Sequence, residues 1–183
     1  MRKILETNRL ILRGWQDSDA DSLFKYASDK RVGPPAGWIP HESIGYSKAV
    51  IRTVFAKDEV YAICLKGGDD KPIGSIGLNF QGSDARPLGD DEAELGYWIG
   101  VPFWGKEIAP EAAKEVIRHG FEDLGLSRIY CGYFEGNNKS KRVQEKCGFT
   151  FDRIEKTYVI MFEETRKEYI NVLCASDWEK HGY

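Results

Sequence analysis

The segment Tyr97-Trp98-Ile99-Gly100-Val101-Pro102-Phe103-Trp104-Gly105-Lys106-Glu107-Ile108-Ala109-Pro110-Glu111-Ala112 constrains the fold more than any other part of the chain. An apolar, aromatic run reads as a strand that stops at Val101-Pro102. A short turn with Gly105 and Lys106 follows, and a helix is expected to open with Pro110 at its first position. Strand, short turn and helix start together present several backbone N–H groups and the positive end of a dipole, which suits a phosphate. The segment therefore points to a cofactor that carries a pyrophosphate.

The helix behind this turn is the strongest periodic signal. Ala109, Ala112, Ala113, Val116, Ile117, Gly120, Phe121 and Leu124 recur as one apolar stripe. Glu111 suits the dipole of the first turn, and Gly125 suits the residue just past the end. Upstream, Leu10 to Arg13 reads as a first strand, Asp17 and Ser18 as helix N-caps, and Ala20, Leu23, Phe24 and Ala27 as a helix face. Val32 to Pro40 holds three prolines and two glycines and reads as a stiff loop. A second helix is expected with Val50, Ile51, Val54 and Phe55 on one face. Strands follow at Val60–Leu65, Pro72–Phe80 and Ala93–Val101, with a polar loop from Gln81 to Asp91. After the long helix come a strand at Arg128–Tyr133, a turn at Glu135–Asn138 and a short helix to Lys146. Strands near Phe149–Met161 and Lys167–Ala175 close the chain. The sum is α+β: a mostly antiparallel sheet with helices packed on it.

The 183 residues suit a single domain spanning 1–183. A 42% hydrophobic and 30% charged composition excludes a disordered chain, and no apolar run reaches the ~18 residues of a membrane span. Met1 to Glu6 meets an acid too early for a signal peptide. A net charge of −3 argues against a nucleic-acid partner. The cysteines (Cys64, Cys131, Cys147, Cys174) show no C-x-x-C pair, and the histidines (His41, His119, His181) are scattered, so neither disulfides nor a metal site is expected. Reduced thiols place the chain in the cytoplasm.

Four motifs stand in order: Ala93-Glu94-Leu95-Gly96-Tyr97-Trp98-Ile99; Trp104-Gly105-Lys106-Glu107-Ile108-Ala109, with Pro110-Glu111-Ala112 opening the helix; Asn137-Asn138-Lys139-Ser140-Lys141-Arg142-Val143; and Glu145-Lys146-Cys147-Gly148-Phe149. Together they resemble the GNAT superfamily of acetyl-CoA-dependent N-acetyltransferases. They look most like the branch of the RimJ and RimL enzymes, which acetylate N-termini of ribosomal proteins. The opening Thr7-Asn8-Arg9-Leu10-Ile11-Leu12-Arg13 is similar to that branch's first strand. The resemblance implies a sheet splayed at the cofactor strand, with helices on both faces. Homodimers are common in the branch.

The resemblance also implies roles. Trp104, Gly105, Lys106, Glu107, Ile108 and Ala109 would form the pyrophosphate loop. Trp104 stands where the wider family has a polar residue, and Glu107 replaces the central glycine. A right-handed backbone is expected at Glu107, with its carboxylate in solvent and Lys106 offsetting its charge. The backbone of Trp98 and Ile99 would pair with the pantetheine arm, an N–H near Ile99 would bind the oxyanion, and Gly96 or Gly100 would mark the bulge that opens the strand. Asn137 and Ser140 would lie beside the sulfur, with Ser140 donating to the departing thiolate. Their other reading is an N-cap asparagine and a solvated first-turn serine.

Glu94 is the candidate general base, and its other reading is a strand carboxylate paired with a cation. Asp90, Asp91 and Glu92 would attract a cationic acceptor or form a solvated loop. The chemistry implied is direct transfer in a ternary complex without a cysteine intermediate. The acceptor is a primary amine: a protein N-terminus first, otherwise a polyamine or amino-sugar antibiotic. Its selection is expected in the loops Val32–Pro40 and Gln81–Asp91. Glu107 keeps a rival open, a CoA-sensing or partner-binding module that has lost turnover.

Overall fold

The computed structural model describes residues 3–81 and 87–181. Its strands are β1 Leu5–Glu6, β2 Leu10–Gly14, β3 Val60–Leu65, β4 Pro72–Asn79, β5 Glu92–Ile99, β6 Arg128–Phe134, β7 Thr150–Val159 and β8 Glu164–Cys174. They form one eight-stranded sheet in the order β1-β2-β3-β4-β5-β6-β8-β7. Neighbouring strands are antiparallel with one exception. The exception is β5 with β6, which run parallel because a helix crosses between them.

Helices cover both faces. On one, α1 (Ala20–Ala27) and α2 (Ile44–Thr53) bring Leu23, Ala27 and Ile51 onto Trp15, Ala62 and Cys64. On the other, α3 (Ile108–Arg118) and α4 (Asn138–Lys146) bring Ala112, Val116, Ile117 and Val143 onto Ile76, Leu95, Ile129 and Cys131. Alternation along β5 divides its side chains between these layers. Leu95, Tyr97 and Ile99 join the α3 core, and Trp98 joins the α1–α2 cluster.

Several boundaries differ from the sequence expectation, each for a physical reason. Helix α3 begins at Ile108, with Glu107 as its N-cap, so Pro110 is its third residue. The first-turn N–H groups have no intrahelical partner, so proline is tolerated throughout that turn. The apolar stripe leaves α-geometry after Arg118. His119–Asp123 forms a π-turn, with Leu124 N–H bonded to His119 O, and Leu124 ends 40% exposed. The buried His119 ring holds this turn, with Nδ1 2.7 Å from Asp123 and Nε2 3.1 Å from Glu59 on the approach to β3.

Asp17 and Ser18 lie inside a 3-10 turn rather than capping α1, and the Asp19 carboxylate of that turn binds Arg13 at 2.8 and 2.9 Å. Helix α2 stops at Thr53, leaving Val54 exposed. Strand β1 and a C-terminal helix, α5 (Ala175–His181), are additional. Within the expected loop Gln81–Asp91, residues 82–86 lie outside the described residues, as do the chain's first two residues.

No bulge opens β5. Its register with β4 runs without interruption from Gly74↔Ile99 to Asn79↔Glu94, so neither Gly96 nor Gly100 is a bulge residue. Gly100 lies beyond the strand, and a Cβ there would meet the Tyr26 ring at 2.7 Å. Gly74 lets β4 approach β5 closely: an added Cβ would stand 2.4 Å from Trp98 O and 3.1 Å from Ile99 Cα. Gly74→Ala is therefore expected to lower stability by about 1–3 kcal/mol, read from urea denaturation. At Gly96 an added Cβ meets nothing within 4 Å, so Gly96→Ala is expected to stay within about 0.5 kcal/mol in the same measurement.

Candidate active site

Strands β5 and β6 pair only at Glu92↔Arg128, Ala93↔Ile129 and Glu94↔Tyr130. Beyond that point β5 continues on β4 to Ile99, and β6 continues on β8 to Phe134. The sheet splays from Glu94 onward. Gly100 N–H bonds Ile73 O, which sets the alternation of hydrogen bonds along β5. By that alternation the N–H and C=O of Trp98 point at Ser75 on β4. Trp98, expected to offer its backbone to the cofactor, does not face the gap. The groups that do are those of Ile99, as expected, and of Tyr97. The Ile99 carbonyl is engaged by the Trp104 indole N–H at 2.8 Å. Trp104 has no other polar hydrogen on its side chain, so it shapes the loop rather than donating to a phosphate.

At the mouth of the gap the turn leads into α3. Gly105 is left-handed, at φ +72°. Glu107 is left-handed too, at φ +61°, ψ +18°, against the expected right-handed backbone. Glu107 thus adopts the conformation a glycine would supply. Its exposed carboxylate leads away to Lys146 of α4 rather than to Lys106. Lys106 sits 5.5 Å from the Phe103 ring, and its carbonyl accepts from Arg9 Nη1 at 3.0 Å. Arg9 also binds Glu111, which takes a 2.6 Å bond from Thr7 Oγ1. Against the burial that would raise it, these donors hold the Glu111 carboxyl below its ordinary pKa. The N-terminal segment therefore clamps the turn. The first-turn N–H groups of Ile108 and Ala109 have no intrahelical acceptor, and Pro110 carries none.

Helix α4 brings the third motif to the gap. Asn137 Oδ1 accepts from Ser140 N–H at 3.2 Å, and its Nδ2 donates to Pro35 O at 3.1 Å. Asn137 is an N-cap and a tie to the Val32–Pro40 loop, which is the other of its two sequence readings. Ser140 Oγ lies 3.0 Å from Tyr97 Oη. Lys139 Nζ stands 3.4 Å from the Trp104 ring centroid. The sequence assigned no role to Tyr97, Gln144 or Lys139, although Gln144 follows Ser140 at the i,i+4 spacing of a helix face.

Glu94 stands at the vertex of the splay, half-buried between Asn79 and Tyr130. By alternation its side chain points to the α1–α2 face, opposite Tyr97 and Ser140. On that face Gly96 leaves open space, bounded by Trp98, whose ring lies 6.0 Å from Trp38. The loop carrying Trp38 spans the gap, with Pro34 O taken by Arg166 at 2.6 Å. Glu92 is spent on Gly89 N–H and Arg128, each at 3.0 Å, so it fixes the loop end rather than attracting an acceptor.

Burial pushes the Cys64 and Cys147 thiols up to about 12. Cys131, wholly buried, is also raised well above the ordinary thiol value, first by desolvation and then by the charge of Glu94. None of these three supplies a thiolate at neutral pH. Among the described residues no group of His, Cys, Asp and Glu is placed to hold a metal, and no helix is long and apolar enough to cross a membrane.

A sequence profile described as Acetyltransferase (GNAT) domain matches residues 9–150. The chain belongs to the GNAT family. It is an acetyl-transferring enzyme of that family, and the family's acyl donor is acetyl-CoA. The chain is 33% identical over 163 residues to the uncharacterized N-acetyltransferase YoaA of Bacillus subtilis, covering 87% of this chain and 89% of that one. It is 27% identical to the [ribosomal protein uS5]-alanine N-acetyltransferase of Escherichia coli, covering 95% and 92%. The fold matches the crystal structure of a GNAT-family acetyltransferase from Bacillus anthracis at a TM-score of 0.82 and 20% identity, over 95% of this chain and 99% of that one.

The left-handed Glu107 supplies a test of the turn. Glu107→Gly is expected to raise stability by about 1 kcal/mol, because it removes a backbone cost of roughly 1–2 kcal/mol and a surface ion pair of roughly 0–1 kcal/mol. A thermal melt should rise by about 2–4 °C. A lower melting temperature would show that the tie to Lys146 holds the turn in place.

Proposed function

We propose that residues 1–183 form one catalytic domain that moves an acetyl group from acetyl-CoA to a primary amine, first a protein N-terminal α-amine, by direct transfer. The single observation that carries this reading is the division of labour across β5. Where the strand leaves β6, a carboxylate (Glu94) stands on one face and a hydroxyl (Ser140) on the other. Acyl transfer needs a proton acceptor on the side where the amine enters and a donor on the side where sulfur leaves.

The residues present fit the acyl donor. The open edge of β5 offers alternate N–H and C=O groups to an amide-bearing arm. The turn Gly105–Ala109 and the start of α3 offer N–H groups and a positive dipole to a pyrophosphate. When bound, acetyl-CoA supplies an activated acetyl thioester. The N–H of Ile99 then faces the carbonyl oxygen from the open edge. Glu94 takes the amine's proton, directly or through one water, and Ser140 donates a hydrogen bond to the sulfur. The Glu107 carboxylate points away to Lys146 and so does not crowd the phosphates, which removes the reason for a lapsed module.

A protein N-terminus is supported by two considerations. An α-amine with a pKa near 8 is already about a tenth to a third free base near pH 7–7.5, whereas lysine near 10.4 is almost wholly protonated, so a glutamate base suffices for the former. The similarity to an enzyme that acetylates the alanine of uS5 points the same way. The reading places the chain in the cytoplasm, in a branch resembling RimJ and RimL.

The first test is a thermal melt with acetyl-CoA, CoA and ATP. Ligand at 100 times its Kd adds about 2.7 kcal/mol, which for a chain of this length raises Tm by roughly 5–10 °C. A shift with both CoA species but not ATP is expected, and no shift at millimolar acetyl-CoA would sink the proposal. Glu94→Gln is then expected to lower kcat by about 10²–10⁴ with little change in acetyl-CoA affinity. Unchanged turnover across pH would remove Glu94 from the chemistry. A panel of N-terminal peptides, polyamines and amino sugars, scored by thiol release, decides the acceptor.

A further inference from the structure

The Ser140 hydroxyl is surrounded by donors. Gln144, one helical turn later, is buried. Its Oε1 accepts from Asn171 Nδ2 at 2.8 Å, which fixes the orientation of the amide. Its Nε2 then faces Gly132 O and Ser140 Oγ, each at 3.1 Å. Both amide hydrogens are spent, one of them on Ser140. Tyr97 Oη lies 3.0 Å from Ser140 Oγ and 3.1 Å from Ser140 O. Burial raises the phenol well above its ordinary value, so Tyr97 keeps its proton at neutral pH.

Two proton arrangements satisfy these atoms. In one, Tyr97 donates to the Ser140 carbonyl while Ser140 donates to Tyr97 Oη. In the other, Tyr97 donates to Ser140 Oγ. Gln144 already fills the second lone pair of that oxygen, so the Ser140 proton turns away from both partners and toward the gap. An anion in the gap selects the second arrangement, because only that one offers it a donor. We infer that Tyr97, braced by Gln144, is a positioning residue that converts Ser140 into an outward hydrogen-bond donor when a thiolate stands between β5 and β6. Two O–H bonds change direction, and no proton changes owner. The inference rests on the transferase reading, which makes that thiolate the one of CoA.

The test uses the full chain, with CoA as probe and desulfo-CoA as the sulfur-free control. A donor to the thiolate lowers the bound thiol pKa below that of free CoA. CoA affinity relative to desulfo-CoA then rises with pH through the bound pKa and levels off above the free one. A one-unit shift gives a gain of about tenfold in calorimetric titrations across that range. Ultraviolet difference titration of the bound thiol reads the same shift.

Tyr97→Phe deletes only the phenol oxygen, and Ser140→Ala only the hydroxyl. Each is expected to cut the gain to about twofold or less while desulfo-CoA affinity holds, and the double variant to match Ser140→Ala alone, since Tyr97 acts through Ser140. A merely structural Tyr97 would weaken CoA and desulfo-CoA alike at every pH, which would overturn the inference. Retention of the full gain in Tyr97→Phe but not in Ser140→Ala would also overturn it and leave the transferase reading standing. Failure of the wild type to bind CoA would overturn both.

Discussion

Everything distinctive about this molecule depends on a parallel strand pair that stops after three residue pairs. Strand β5 is tied to β4 from Glu94 to Ile99, and β6 is tied to β8 from Arg128 to Phe134. Neither can turn toward the other without breaking its own antiparallel ladder. The close approach at Gly74 makes the β4–β5 bond especially intolerant of such a shift. The strands therefore part, leaving the backbone groups of Tyr97 and the N–H of Ile99 facing a gap, while the Ile99 carbonyl is taken by the Trp104 indole. A polar backbone group left unpaired in a buried place costs about 1–3 kcal/mol. A ligand that carries amides along an extended arm satisfies these groups as a neighbouring strand would.

The gap is bridged on the α3–α4 face. Tyr97 reaches Ser140, Trp104 lies under Lys139, and Glu107 meets Lys146. Each contact joins the β5 side to α4, so the helix that carries Ser140 is registered against the strand that carries Tyr97 and Ile99. The left-handed backbone at Glu107 belongs to the same arrangement. It costs on the order of 1–2 kcal/mol, yet it leads the carboxylate out of the turn and across to α4. The Arg9–Glu111 pair and the bond from Arg9 to Lys106 O hold the turn from the opposite side, so a strained residue is fixed between two clamps.

The order of elements and the motif positions were legible in the sequence because both depend on local pattern. The stripe from Ala109 to Phe121 and the alternation of β5 are periodicities of the chain itself. Residues facing the gap were approached only by resemblance, which named Trp98 and Ile99, whereas the backbone groups turned to the gap are those of Tyr97 and Ile99. Which of two adjacent residues turns its backbone outward is set by the β4 register, a non-local property. The start of α3 was misjudged because a proline anywhere in the first turn looks like a proline at its first position. The handedness of Glu107 was misjudged because local cost favours a right-handed residue, whereas the clamps from Arg9 and Lys146 come from distant segments. Tyr97 was not singled out for the same reason, since it meets Ser140 across the fold, and Gln144 was not because the partners that orient it, Gly132 and Asn171, lie on β6 and β8.

Asn137 links the two sides of the site. One end of its carboxamide caps α4 through Ser140 N–H, and the other holds Pro35 O of the loop that spans the gap. Arg166 holds the neighbouring Pro34 O from β8. The loop is therefore fastened to the β6–β8 half of the sheet, while Trp38 within it packs on Trp98 of the β4–β5 half. A segment that touches both halves senses how far they are apart. Between the fastening points and Trp38 lie Ala36 and Gly37, and Gly37 is held to glycine by its φ of +86° and by the Phe134 ring, 2.9 Å from where a Cβ would stand. A change that drags Pro35 away strips Asn137 of one partner and loosens the cap beneath Ser140. The loop and the cap beneath Ser140 are thus joined through Asn137, so the position of the loop is tied to that of α4.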